Sequence, residues 1–279
     1  MFDLNIKVKG HKDHEKRIQI LKRCTELGYS CIAWTTSILG RIGAGTTTQL
    51  QPCKAFCLEP IHERDAMQLR RLVIDEGETY GNPVRQCSRL SVTIDDVMDA
   101  QSLTMGNEIL NRFDIISGNP GNGKVFDFLC KTAEIDIISI DFTHKLQFSI
   151  NKKSVDAAIS RGICFEILYS PLLASSQTRR EVFNGVKVLV QYLRGKHIIL
   201  SSGADTSSQL RGPIDVAGIA QSLKLSKECA LKSLSANCEM VLKHGCSRKL
   251  RYLPAQVASK SEVAFMNIYA AKNKFKCVC

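Results

Sequence analysis

No apolar run in this 279-residue chain reaches the roughly 18 residues that a membrane-spanning helix requires, so the reading is against a membrane protein. The N-terminus, MFDLNIKVKGHKDHEKR, lacks the long apolar core of a secretory signal, because charge flanks its short strand-like run on both sides. A protein that starts here, in the cytosol or nucleus, is expected. Histidine is scarce, with six in the chain, and no H-x-H pair stands at an expected strand end. Barrel phosphoesterases gather metal ligands at such ends. The candidates here are Asp3, Asn5, His11, His14, Asp141, His144 and His197, too dispersed to favour a metal site. A G-x-S-x-G elbow is also missing, which argues against a Ser-His-Asp nucleophile.

Cysteine is abundant, at twelve, but without finger spacing. Cys53 with Cys57 and Cys277 with Cys279 allow a zinc clip between loop and tail, yet no pair matches a known finger. Others fall at periodic core positions such as Cys24, Cys130, Cys164 and Cys238, and reduced, buried thiols are the favoured reading. The CVC ending is not a C-a-a-X box, because Lys276 stands where that box needs cysteine.

What is present is 44% hydrophobic and 23% charged residues, a globular composition, with a net charge of +11. The excess is uneven. From Lys243 onward there are eight basic residues and one acidic residue, so that end carries +7 of the total. Such a segment attracts polyanions, nucleic acid above all, or is a solvated tail.

Short β-rich runs alternate with segments of helical period, the pattern of a parallel α/β sheet. The expected strands are 2–8, 30–35, 90–94, 113–117, 135–140, 146–150, 163–168 and 197–201. The expected helices are 13–27, 62–76, 94–111, 124–133, 152–161, 178–194, 213–223 and 226–244, with Val182, Val186, Leu189 and Leu193 forming one clear stripe. Eight strands favour an irregular TIM-type barrel over an open doubly wound sheet, since closure removes exposed edges. The irregularity is placed at 141–145, too short for a crossover helix. One α/β barrel domain is expected over 1–245, with a mobile excursion or binding loop at 40–61, followed by a basic extension at 246–279.

The stretch FDIISGNPGNGKVFDFL (113–129) imitates a phosphate loop, with Gly118, Gly123 and Lys124 in the G-x-x-x-x-G-K frame. The next residue is Val125, where a hydroxyl is needed to hold Mg²⁺. A turn opening a helix is the simpler reading.

Seven segments in order, FDLNI, LGYSCIAW, FDIISGNP, IDIISIDFT, RGICFEILYSPLL, IILSSGADTSSQLRGPIDVAGIA and LSANCEMVLKHGCSRK, carry a family resemblance. The chain resembles the TIM-barrel, thirty-kilodalton protein subunit of ribonuclease P, shared with ribonuclease MRP, from about residue 2 to 249. The resemblance implies a noncatalytic subunit supporting a catalytic RNA that removes 5′ leaders from precursor tRNA. It also implies a barrel related to metal-dependent phosphoesterase barrels whose ligands have been lost. The partners it implies are ribonuclease P RNA, ribonuclease MRP RNA and other protein subunits, including a small RNA-binding one, with precursor tRNA reached through the complex. No cofactor is expected in the chain itself, Mg²⁺ being expected for the catalytic RNA. The expected location is the nucleus and nucleolus. Arg179, Arg180, Arg248, Lys249 and Arg251 are the expected RNA-facing residues, and Arg211, organising its loop through Asp215, is expected to be structural or at an interface. The alternative is a free-standing metal-dependent phosphoesterase on the same barrel.

Overall fold

The computed structural model describes residues 1–7, 14–43, 50, 52, 84–104 and 106–252. Seven strands, β1 (Phe2–Lys7), β2 (Cys31–Leu39), β3 (Arg85–Ile94), β4 (Ile115–Pro120), β5 (Ile137–Ser139), β6 (Cys164–Leu168) and β7 (Ile198–Ser201), pair in sequence order and all in parallel. The two ends of the sheet meet. Gly203 N–H donates to the Asn5 carbonyl at 2.9 Å and Lys7 N–H to the Ala204 carbonyl at 2.8 Å, with a parallel bridge between Ile6 and Ala204. These bonds turn the sheet into a barrel and exclude the open-sheet alternative.

The expected eighth strand, 146–150, is not a strand. A parallel partner needs a crossover of a dozen or so residues, and 141–145 cannot supply one. The segment instead runs over the outside of the barrel, with Phe142 and Ile150 buried. The crossover helix comes after it, as α5 (Lys152–Ser160).

The strands alternate, and the alternation sorts two cores. Leu90, Val92, Ile116, Ile138, Phe165, Ile167 and Leu200 face outward onto the helices. Leu4, Ala33, Cys87, Ile115, Ile137, Cys164 and Ile199 form a separate inner cluster. β3 begins at Arg85, earlier than expected, because Arg85, Gln86, Ser88 and Arg89 make the start of the strand read as a polar stretch.

The outer helices follow the expected periods with local changes. α1 is His14–Glu26. The expected helix at 94–111 is divided into α2 (Val97–Ala100), a 3₁₀ turn at Gln101–Leu103 and α3 (Glu108–Arg112). Two caps explain the division: the Asp96 side chain accepts from Met98 N–H, and that of Asn107 from Ile109 N–H. α4 is Gly123–Lys131 and α6 is Ser176–Leu193, whose stripe Val182, Val186, Leu189 and Leu193 is buried as its period requires. Burying each such side chain contributes roughly 1.5–3 kcal/mol. α7 is Pro213–Ser222. The expected helix at 226–244 is two helices, α8 (Lys227–Ser233) and α9 (Ala236–Tyr252). The expected helix at 62–76 lies outside the described residues.

α9 closes the N-terminal end of the barrel. Cys238, Val241 and Leu242 pack into the inner cluster, and Asn237 donates to the Ile198 carbonyl at 2.7 Å. Gly245 permits the approach, since a Cβ there would collide with the Asp114 carbonyl oxygen. The helix therefore runs through the expected domain boundary at 245/246, and residues 246–252 belong to the barrel. The rest of the expected extension lies outside the described residues.

Candidate functional site

The centre of the barrel, where a barrel enzyme would keep reactive groups, is filled by an ion pair. Arg89 and Glu166 are both fully buried. The guanidinium binds both carboxylate oxygens, Nη1 to Oε1 at 2.5 Å and Nη2 to Oε2 at 2.6 Å. It also donates to the Leu4 carbonyl at 2.8 Å and to Ser117 Oγ at 2.9 Å. Asn5 Nδ2 donates to Glu166 Oε2 at 3.0 Å. Burial alone would raise the Glu166 carboxyl, but the Arg89 charge and its hydrogen bonds outweigh burial and hold it below the usual range. The carboxylate is thus ionised and already engaged, a poor proton acceptor. Its surroundings do not fit a metal ion either, since a protein cation stands against it.

Asp3 lies nearby with the opposite tendency. Its Oδ1 accepts N–H bonds from Asn5 at 3.2 Å and Ser202 at 3.1 Å, while Oδ2 has no partner among the described residues. Burial, the dominant cause, pushes its carboxyl up to about 6 against the hydrogen bonds that lower it. The folded state therefore holds this proton more tightly than the unfolded chain. Its contribution to stability is present below the unfolded value of 3.8 and lost as pH rises through about 6. Asp3→Asn is expected to remove that pH dependence and to be the more stable form at pH 8, by at most about 3 kcal/mol. Urea unfolding of both forms at pH 5 and pH 8 checks this, and an unchanged difference between the two pH values would sink it.

The histidines considered as ligands lie apart. His14 opens α1, His144 is exposed on the segment after β5, and His197 sits at the turn into β7 with its imidazole pKa lowered by burial and then by Lys196. His11 is outside the described residues, as are Cys53, Cys57, Cys277 and Cys279. Among the described residues no three His, Cys, Asp or Glu side chains converge. The eight described cysteines are free thiols, and burial pushes Cys130 and Cys164 up to about 12, too high for ready thiolate chemistry.

The glycine turn opens a helix. Asn122 caps α4, its side-chain oxygen accepting from Val125 N–H at 3.0 Å, so a backbone donor that a phosphate loop would offer is already used. Gly121 N–H is taken as well, by the Ile94 carbonyl at 2.8 Å.

The five expected RNA-facing residues separate into different environments. Arg179 and Arg180 are exposed in the first turns of α6, whose N-cap Ser175 accepts from Thr178 N–H. Arg179 Nε reaches back to the Leu172 carbonyl at 2.9 Å. Arg251 is half-exposed, 3.6 Å from Glu134. Lys249 is mostly covered and bonded to Asp114 Oδ1 at 2.7 Å. There burial would raise the Asp114 carboxyl, but Lys249 and the Ser88 hydrogen bonds outweigh it and leave it lowered.

Arg248 is not a surface residue at all. It is fully buried and donates to the carbonyls of Leu110 at 2.6 Å and Phe113 at 3.2 Å and to Asp136 Oδ2 at 3.1 Å. Its guanidinium cannot meet a phosphate without α9 leaving the barrel. Asp136 also takes His244 Nδ1 at 2.7 Å and Ile116 N–H at 2.8 Å. Burial would raise its carboxyl, and Arg248 first and His244 next reverse that.

Arg211 bonds its own loop rather than Asp215. Its Nη1 donates to the carbonyls of Ser208 at 2.8 Å and Leu210 at 2.9 Å. Its backbone is held between two tyrosines: Tyr29 Oη donates to the Arg211 carbonyl at 2.8 Å, and Arg211 N–H donates to Tyr169 Oη at 3.2 Å. Asp215 is exposed in the first turn of α7, where a carboxylate suits the helix dipole.

Sequence reasoning passed over Arg89, Asp136 and Tyr29. The available signal was slight: Arg89 lies on the inward parity of β3 and Asp136 precedes β5, but their partners are 77 and 112 positions away.

The family model described as RNase P subunit p30 matches residues 1–250. Protein GAMETOPHYTE DEFECTIVE 1 of Arabidopsis thaliana is 40% identical over 229 residues, covering 81% of this chain and 39% of that protein. Ribonuclease P protein subunit p30 of Mus musculus is 31% identical over 181 residues, covering 65% of this chain and 67% of that protein. This chain thus spans about two fifths of the length of the Arabidopsis relative. Among solved structures, a chain of an archaeal ribonuclease P with mature tRNA, determined by cryo-EM, superposes with a TM-score of 0.60 at 11% identity, covering 93% of this chain and 97% of that one. That likeness concerns the fold.

Proposed function

The chain belongs to the RNase P subunit p30 family, and on that premise we propose that it is a noncatalytic protein subunit of the ribonuclease P ribonucleoprotein. In this reading it supports the catalytic RNA in removing 5′ leaders from precursor tRNA, serves ribonuclease MRP as well, and works in the nucleus, including the nucleolus. No described helix is long and apolar enough to cross a membrane.

The observation that carries the proposal is the family match, which spans nearly all of the described chain. The chemistry of the barrel centre agrees with it, because Arg89 already compensates Glu166 and withholds that carboxylate from proton transfer and from a metal ion. That weighs against the free-standing phosphoesterase, which no observation here favours. Mg²⁺ in this reading is bound by the catalytic RNA, and the chain contributes no cofactor.

Of the expected RNA-facing residues, Arg179 and Arg180 are the best placed for phosphate contacts, with Arg251, half-exposed beside Glu134, and Lys249 as weaker candidates. Arg248, enclosed in the core, is not among them. Contacts of this kind set register and orientation on the RNA rather than sequence. The double variant Arg179→Ala/Arg180→Ala is expected to keep its unfolding midpoint and to lose affinity for the ribonucleoprotein RNA. The salt slope of binding should fall by roughly 1 to 2, about one per lost phosphate contact.

The direct test is to tag the chain, purify it under mild salt from cells that express it, sequence the bound RNA and assay leader removal from precursor tRNA. One structured RNA with leader-removing activity is the expected result. Purification without either would overturn the proposal.

A further inference from the structure

Outside the barrel centre, a surface groove of about 320 Å³ lies between the irregular segment after β5 and helix α6. Its walls are Leu146, Phe148, Val188 and Tyr192, and its polar groups include Lys145, Glu181 and Asn184. The walls are preformed. The Phe148 ring packs on Phe126, with centroids 5.6 Å apart and planes at 34°. Beneath the groove the Phe142 ring lies so close to Gly185 that a Cβ there would collide with it. A glycine inside a helix costs about 1 kcal/mol relative to alanine, and this close packing is what it permits.

Val188 remains 38% exposed although apolar, and Phe148 and Tyr192 are only half-buried. Positive charge borders the same groove. Lys145 lines it, and Arg180 and Lys187 stand exposed on α6, four residues before and three after Asn184, hence beside it on the helix surface. Among the described residues Lys145, Arg180 and Lys187 form no ion pair with a carboxylate.

The occupant that fits is planar, apolar on its faces, polar on its edge and attached to negative charge. An apolar peptide side chain would cover Glu181 and Asn184 without pairing them, at a desolvation cost. A nucleobase supplies the missing partners, since an exocyclic amino group donates to the Glu181 carboxylate and ring acceptors meet the Asn184 amide, while its faces stack on aromatic rings. Its phosphates then lie toward Lys145, Arg180 and Lys187.

We propose that this groove binds one unpaired nucleotide of RNA, with the base against Tyr192 and Phe148, and that it prefers an amino-bearing base to uracil. The proposal rests on the RNA-subunit reading above and deepens it: the chain would contact single-stranded as well as folded RNA.

The test uses the full chain with 12-nucleotide oligoadenylate, oligouridylate and a duplex of the same length, followed by ultraviolet crosslinking and peptide mapping. Oligoadenylate should bind more tightly than the other two and crosslink at Tyr192 or Phe148. Tyr192→Ala should weaken oligoadenylate binding roughly five- to a hundredfold, the range for losing one stacked base. Asn184→Ala, an exposed change that leaves the fold alone, should weaken it in the same direction and supplies the answer if Tyr192→Ala does not fold. Crosslinks elsewhere only, equal binding of duplex, or unaltered binding by folded variants would overturn the proposal. So would loss of a protein subunit from the purified particle when Asn184 is replaced with oligoadenylate binding unchanged, which would make the groove a protein contact. Each of these outcomes, obtained while the native chain still co-purifies with ribonuclease P RNA, removes this inference and leaves the proposed function standing. Failure of that co-purification removes the proposed function instead.

Discussion

Glu166→Ala is expected to destabilise the protein by about 3–5 kcal/mol, the range for removing one partner of a buried ion pair. The loss arises from what stays behind. The Arg89 guanidinium would remain fully enclosed, with only the Leu4 carbonyl and the Ser117 hydroxyl for company. A charge in that setting pays its desolvation without its Coulombic return. The paired variant Arg89→Met/Glu166→Leu should recover most of the stability, because neither charge is then buried. Urea unfolding of the native, single and double forms measures the contrast. A double variant as unstable as the single one would show that packing volume, rather than the orphaned charge, sets the cost.

The same pair gives a sign for acid. The Glu166 and Asp136 carboxyls are both held below their ordinary values in the folded chain. Each therefore contributes stability that is present above the unfolded carboxylate range and is lost as pH falls through the lowered folded value. Asp3 runs the other way and is lost upward through about 6.

Arg248→Ala is the second large expectation, again about 3–5 kcal/mol. The substitution removes the donors that satisfy the Leu110 and Phe113 carbonyls and leaves the buried Asp136 carboxylate with His244 and one backbone N–H. Arg248→Lys should recover little, since one ammonium cannot reproduce the fork that spans these acceptors. Hydrogen exchange should localise the damage to α9 and the starts of β4 and β5, the parts that Arg248 joins. The comparison with Arg179→Ala/Arg180→Ala is informative, because surface changes of that kind fall within about 0.5 kcal/mol. If Arg248→Ala left the unfolding midpoint unchanged and lowered RNA affinity instead, the buried role assigned to it would be wrong.

The sequence was most legible where residues answer to their near neighbours. The stripe Val182, Val186, Leu189 and Leu193 predicted α6, and the structure buries all four. The valine after Lys124 removed the phosphate-loop reading, and Asn122 capping α4 gives the turn its structural role. The ordered segments named the family, which the match over residues 1–250 establishes. It was least legible where polar residues face inward. β3 was cut short because its first five residues, RQCSR, carry little apolar pattern, and only the closed barrel supplies the partners of Arg89. The apolar run at 146–150 looked like a strand, but the chain before it is too short to cross over and return. Arg248 and Lys249 read as a basic tail for the same kind of reason, since charge is visible in a sequence and its partner is not.

The sequence by itself determined the α/β class, the outward-facing core, the family and the absence of a phosphate loop, because each depends on period, spacing or motif within a few residues. Tertiary structure alone decided that the described residues hold seven strands, that Arg89 neutralises Glu166, that α9 belongs to the barrel and that Arg248 is inside while Arg180 is outside. An arginine in a solvated helix and one in a core are the same letter in the sequence, each here among polar and basic neighbours. What separates them is a carboxylate and two carbonyls brought from more than a hundred positions away, and only the closed barrel brings them.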